Sequence, residues 1–195
     1  MQAITSSRGH DRHAPWPAAL LAGLFTLTMG VERVQAADAA AVGRPAPALI
    51  RRQFDGQPLD LAGLRGHVVL LNFRASWCGP CRSEMPLLDA LSREYRDRGV
   101  VVVGLSADDP HDRNDAVKAA AGVHYLTGLL AEAPVNVFGS PQVLPLTYII
   151  GPVGTLGAVL SANRGPLSAG QLRAAVEVQL RPADGTLAPP SSSIP

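Results

Sequence analysis

The chain has little that would hold a nucleic acid. Lys118 is its only lysine, every other basic side chain is arginine, and 17 basic against 16 acidic residues leave a formal net charge of +1. No basic stripe exists to track a phosphate backbone, and aromatics at 5% offer no base-stacking face. Cysteine is nearly absent too, with Cys78 and Cys81 the only two. Two cysteines cannot build a multiply bridged secreted scaffold or a four-thiolate zinc site. Long apolar runs are also missing. The uncharged stretch from Ala18 to Val31 is shorter than the ~20 residues of a membrane-spanning helix. Hydrophobic residues nevertheless make up 47% and charged residues 17%, which excludes a disordered chain and predicts one packed domain.

The Ala18–Val31 stretch follows Arg8 and Arg12 and precedes the small-residue pattern Val34-Gln35-Ala36. Together these read as a secretory signal peptide over residues 1–36, with Ala37 the first mature residue. The alternative is an uncleaved N-terminal anchor. Either way the expected location is periplasmic or otherwise extracytoplasmic, with the domain itself soluble after cleavage. A domain over 37–182 and a disordered Pro/Ser-rich tail over 183–195 complete the expected organisation.

Within the domain, Leu49–Phe54 reads as a strand with Asp55-Gly56 as its turn, and Leu59–Leu64 leads to a second turn at Arg65-Gly66. His67–Phe73 and Val100–Leu105 are apolar runs of the doubly buried, parallel-sheet kind. Between them, Leu87, Leu88, Leu91 and Tyr95 recur at helical spacing over Glu84–Arg98, and Gly99 is a C-cap. Pro86 should kink this helix. Asp112–Ala121 reads as a second helix, Leu144–Ile150 and Thr155–Leu160 as a hairpin, and Ser168–Leu180 as a last helix. Strands alternating with helices and closed by a hairpin predict an α/β domain with a central mixed β-sheet flanked by helices.

Trp77-Cys78-Gly79-Pro80-Cys81 falls where the first buried strand hands over to a helix. A thiolate is the reactive form of cysteine, and the unpaired N–H groups of a first helical turn favour it. Cys81, one turn on, is spaced to attack a mixed disulfide formed at Cys78. Pro80 costs nothing there, because a first-turn N–H has no helical acceptor. The competing readings are half of a metal site, for which His67, His111 and His124 lack ligand spacing, and a purely structural bridge, which across two residues closes too small a loop to stabilise much. The one other dense cluster, Asp108, Asp109 and His111, reads as a solvated loop. No cofactor and no metal are expected.

The run VVLLNFRASWCGPC from Val68 to Cys81, followed by Arg82-Ser83-Glu84-Met85-Pro86, resembles the TlpA/ResA-like thiol–disulfide oxidoreductases of the thioredoxin superfamily. Gly43–Pro47 and Leu59–Gly66 are similar to that family's N-terminal hairpin lead-in, and Val143–Tyr148 to its cis-proline strand. The resemblance implies a thioredoxin-like fold with an N-terminal β-hairpin extension. It implies Cys78 as nucleophile, Cys81 as resolving thiol, and a cis Pro145 facing them. Trp77 and Leu144 would flank the substrate, and Glu84 would assist proton transfer. The implied partners are protein thiol or disulfide substrates, apocytochrome c among them, and a membrane electron donor protein. Arg74 departs from the family, which usually has Trp there. Its guanidinium would lower the thiol pKa or meet an anionic substrate, unless it merely faces solvent. Asn72 stands where cytosolic thioredoxins carry a buried Asp, and Gly151 where an acid is usual.

The expected activity is therefore that of a protein-disulfide reductase. Two alternatives remain. A peroxiredoxin-like peroxidase would need a Pro-x-x-x-Thr/Ser-x-x-Cys approach that Leu71–Cys78 lacks. A thiol-dependent metallochaperone would need a soft third ligand, for which Met85 is the nearby side chain.

Overall fold

A computed structural model describes residues 40–130, 138, 141–163 and 165–181. The expected signal peptide over 1–36 and tail over 183–195 lie outside the described residues. The central sheet is built from β3 (Val68–Arg74), β4 (Val100–Ser106), β5 (Leu126–Leu129), β6 (Leu146–Ile150) and β7 (Leu156–Ser161), in the order β5-β4-β3-β6-β7. The β3–β4 and β4–β5 pairs are parallel, and β3–β6 and β6–β7 are antiparallel. A separate two-stranded hairpin, β1 (Ile50–Arg52) with β2 (Pro58–Asp60), precedes it. The mixed sheet and N-terminal hairpin are thus as expected. β5 was not: four residues with no apolar alternation give a period-based reading nothing to detect.

β3 and β4 are buried at every position, as continuous aliphatic runs require. Their side chains alternate between two apolar layers. Val68, Leu70, Val100 and Val102 meet Leu88 and Leu91 of α1 (Gly79–Tyr95) and Leu172 and Val176 of α3 (Ala169–Leu180). Val69, Leu71, Phe73, Val101, Val103 and Leu105 face the opposite way, onto Leu49, Leu59 and Leu61 of the hairpin region. There the rings of Phe73, Phe138 and Tyr148 sit edge-to-face or tilted, with centroids 5.0–5.8 Å apart.

α1 starts five residues earlier than its apolar periodicity suggests, because Cys78 is its N-cap. It remains helical through Pro86, whose ring lies on the exposed side. A 3-10 turn over Arg96–Arg98 ends on Gly99 at φ 73°. That left-handed value is open to glycine without a Cβ clash. α2 is shorter than expected, Arg113–Ala119, with Pro110–Asp112 forming a 3-10 turn before it. α3 starts on a capping box: Ser168 Oγ accepts from Gln171 N at 3.2 Å, and Gln171 Oε1 accepts from Ser168 N at 2.9 Å. Near its other end, Gln179 lies flat against Gly151 and Gly157. A Cβ on either glycine would come within 2.8 Å of its amide group, which a rotation of Gln179 relieves; nothing in the structure explains Gly151 where an acid is usual.

The hairpin is seated on β5 through backbone. Phe54 N donates to Thr127 O at 2.8 Å, and a Cβ on Gly128 would lie 2.4 Å from Arg52 O. No side-chain rotation relieves that contact. Gly128→Ala is expected to cost about 1–3 kcal/mol by overpacking. That lowers the melting temperature about 2–4 °C per kcal/mol in a circular-dichroism melt. An unchanged melt would show that the hairpin yields freely.

Candidate active site

The strand-to-helix turn at the end of β3 carries the two cysteines. They form a disulfide with Cα atoms 5.3 Å apart. As N-cap, Cys78 presents its Sγ to the first turn of α1 and accepts from Cys81 N at 3.2 Å. This amide, with the dipole behind it, is the group that stabilises negative charge on that sulfur when the bond opens. Cys78 is 6% exposed and Cys81 1%, so the first cysteine is the less enclosed of the two. Leu144 and Ala75 pack against the pair. The Leu144–Pro145 peptide is cis. Trp77, the residue before Cys78, is 68% exposed and leaves a large apolar surface next to the pair in sequence. Met85 is packed inside at 6% exposure, unfavourably for a metal ligand at the surface.

A buried polar chain crosses three elements. Asn72 Nδ2 of β3 donates to Thr147 Oγ1 of β6 at 3.0 Å, and Thr147 Oγ1 donates to Glu84 Oε1 of α1 at 3.4 Å. Glu84 follows Cys81 by three residues, on the same helix face. It is buried, and its Oε2 has no hydrogen-bond partner. Burial pushes the carboxyl up to about 7, with the Thr147 hydroxyl pulling weakly the other way. A buried acid with that affinity can hold or release a proton near neutral pH. An exposed acid would keep its ordinary affinity for the proton, so it is burial that sets Glu84 apart. Thr147, the connecting hydroxyl, carried no signal of its own in the sequence. Its place two residues after Pro145 is what puts it there.

Two expectations need correction. Arg74 does not face solvent or a substrate: it is fully enclosed. At the last position of β3 its side chain follows Asn72 onto the helix-covered face. There its Nε lies 3.4 Å from where a Gly104 Cβ would be. The cluster of Asp108, Asp109 and His111 is not uniformly solvated either, since Asp108 is 1% exposed. Asp108 Oδ2 accepts from Ser76 N at 2.9 Å and its Oδ1 from Ser76 Oγ at 2.7 Å, while Ser106 Oγ donates to Oδ2 as well. With Ala107 N donating to Arg74 O at 2.7 Å and Arg82 Nη1 to Ser76 O at 2.8 Å, these bonds tie the turn before Cys78 to the end of β4. A lone Asp after a strand reads as a loop. Only the parallel register that sets Arg74 beside Ser106 brings it under the cysteine turn.

The sequence profile of the AhpC/TSA family matches residues 42–159. The chain is similar to the thiol-disulfide oxidoreductase ResA of Bacillus thuringiensis strain Al Hakam. The two are 32% identical over 114 residues, 58% of this chain and 61% of that protein. It is also similar to the thioredoxin-like protein YneN of Bacillus subtilis strain 168, 33% identical over 117 residues that cover 58% of this chain and 68% of YneN. The chain thus spans about six tenths of the length of the ResA it matches. A thiol:disulfide interchange protein of the thioredoxin family from Chlorobium tepidum TLS superposes with a TM-score of 0.60 at 27% identity, covering 72% of this chain and 98% of that one. That likeness bears out the thioredoxin-like fold.

Proposed function

From the premise that the chain belongs to the AhpC/TSA family, in the thioredoxin superfamily, we propose that it is a thiol–disulfide oxidoreductase acting outside the cytoplasm. The observation that carries this reading is the Cys78–Cys81 disulfide at the start of α1, with the cis Leu144–Pro145 peptide packed against it. In the reducing direction, the Cys78 thiolate attacks a substrate disulfide. One substrate sulfur leaves as a thiolate and takes up a proton. Cys81 then loses its proton to Glu84 and attacks Cys78 Sγ, the mixed disulfide breaks, and the second substrate thiol is released. The site is left oxidised and two electrons short, so a dithiol donor must restore it.

The leader over residues 1–36 supports an extracytoplasmic location and hence a donor held in the membrane. Among the described residues no helix is long and apolar enough to cross a membrane. Gly79-Pro80 is the dipeptide of thioredoxin, which favours the reducing direction and makes protein disulfides the substrate class, that of apocytochrome c among them. Trp77 and Leu144 form the substrate-facing rim. A peroxidase reading finds Leu71 and Ala75 where its approach motif needs proline and a hydroxyl.

The direction is tested by equilibrating the protein in redox buffers and by following insulin reduction. The expected midpoint is close to thioredoxin's, about −270 mV, with insulin precipitating at a rate set by the protein. A midpoint close to the oxidant DsbA, about −120 mV, without insulin reduction would reverse the assignment.

A further inference from the structure

Arg74 is a charge with no evident reason to be inside. Its guanidinium is fully enclosed, and Nε, Nη1 and Nη2 all lack hydrogen-bond partners. An ion so placed is retained only when something compensates it. Part of the compensation comes from the next strand. Arg74 is the register partner of Ser106, and Ser106 Oγ donates to the carboxylate of Asp108, itself 1% exposed. Burial works to discharge the guanidinium, while Tyr125 and, after it, the carboxylate of Asp108 work to keep it charged. The space is built for the cation. Gly104 has a Cβ position only 2.8 Å from the Tyr125 ring and 3.4 Å from Arg74 Nε, so any larger residue there would crowd both. Tyr125 closes the far side, with its hydroxyl pushed up to about 12 by burial, and it also feels Asp89 and Glu84 of α1. The charged or titratable groups acting on Arg74 are Tyr125 and Asp108, and Tyr125 in turn feels Asp89 and Glu84.

The anion of this couple is also the clamp on Ser76, two residues before Cys78. We propose that Arg74 and Asp108 form a buried charge couple that sets the redox potential of the Cys78–Cys81 pair, with Arg74 a positioning residue that acts through Asp108 and the electric field rather than by touching substrate. This deepens the proposed function and rests on that reading. Opening the disulfide takes up two electrons and one proton and leaves one thiolate and one thiol, so the reduced site is the more negative. A buried cation therefore favours reduction and a buried anion opposes it. Together they nearly cancel, and removing either one alone unmasks the other.

That opposition separates a field from a scaffold. Arg74→Met leaves Asp108 uncompensated and is expected to lower the potential. Asp108→Asn leaves Arg74 uncompensated and is expected to raise it. A unit charge about 10 Å from an ionising group, at an effective permittivity of about 20, changes its equilibrium about tenfold. For two electrons tenfold corresponds to about 30 mV. The potentials are read on the full chain in glutathione or dithiothreitol buffers by alkylation and gel shift, with Cys78 alkylation rates after reduction as a second reading. Arg74→Lys keeps the charge and is expected to stay within about 10 mV of wild type. The double variant Arg74→Met with Asp108→Asn strands no ion and is expected to return to within about twofold of the wild-type constant. Shifts of the same sign in the two single variants would mean a merely structural role and overturn the couple. So would a double variant displaced as far as Arg74→Met. Neither result depends on insulin reduction by the wild-type protein, whose failure would instead count against the proposed function.

Discussion

Cys81→Ser is expected to stop turnover after a single attack. Cys78 keeps its N-cap position, though the Sγ it offers to the residue-81 amide at 3.2 Å is now free to capture a substrate sulfur. Nothing then resolves the mixed disulfide, since Cys78 and Cys81 are the only cysteines in the chain. Insulin reduction should fall to background, while a covalent, thiol-reversible adduct builds up to one equivalent. Mass spectrometry of the adduct identifies the cysteine that is attacked and, with extracytoplasmic extracts, the partner. Cys78→Ser should form no adduct, because Cys81 is 1% exposed and out of reach of a protein substrate. Equal trapping by the two variants would contradict the assignment of Cys78 as nucleophile.

Glu84→Gln is expected to slow the resolving step and to remove a pH dependence of stability. The activity effect should be about a hundredfold or more, the usual range for losing a positioned acid–base group. The stability effect follows from burial. With its folded value raised to about 7 from the ordinary 4.5, the native state holds a proton that the unfolded chain releases. The stability contributed is fully present below the ordinary carboxylate value and is lost as pH rises through 7. A shift of that size corresponds to about 3 kcal/mol in all. Glutamine does not titrate, so the variant should escape this fall. Urea unfolding of the oxidised protein at pH 5 and pH 8 reads the difference directly. The same pH slope in both proteins would mean that Glu84 ionises freely, and its part in deprotonating Cys81 would go with it.

Much of the arrangement is legible without coordinates. The aliphatic runs at Val68–Phe73 and Val100–Leu105 announce a doubly covered sheet. A CxxC at the junction of such a run with a helix announces thiol chemistry. These signals are local, a period or a spacing readable within a dozen residues. Glu84 was half legible: helix spacing put it on the face of Cys81, but its burial depended on Asn72 and Thr147. Asp108 was misread because its partner Ser76 is 32 residues away. Arg74 reads as a group that tunes the thiol, meets a substrate or faces solvent, and its enclosure is not legible because a lone arginine at a strand end is usually solvated.

By itself the sequence determined the fold class and the redox pair, because each follows from neighbours along the chain. Only the tertiary structure decided which charged side chains go inside: Glu84, Asp108 and Arg74 are enclosed, while Asp109 and His111 remain outside. The reason is that desolvation is a property of a place. It is set by which strands and helices close over a residue, and the β3–β4–β6 register makes that choice.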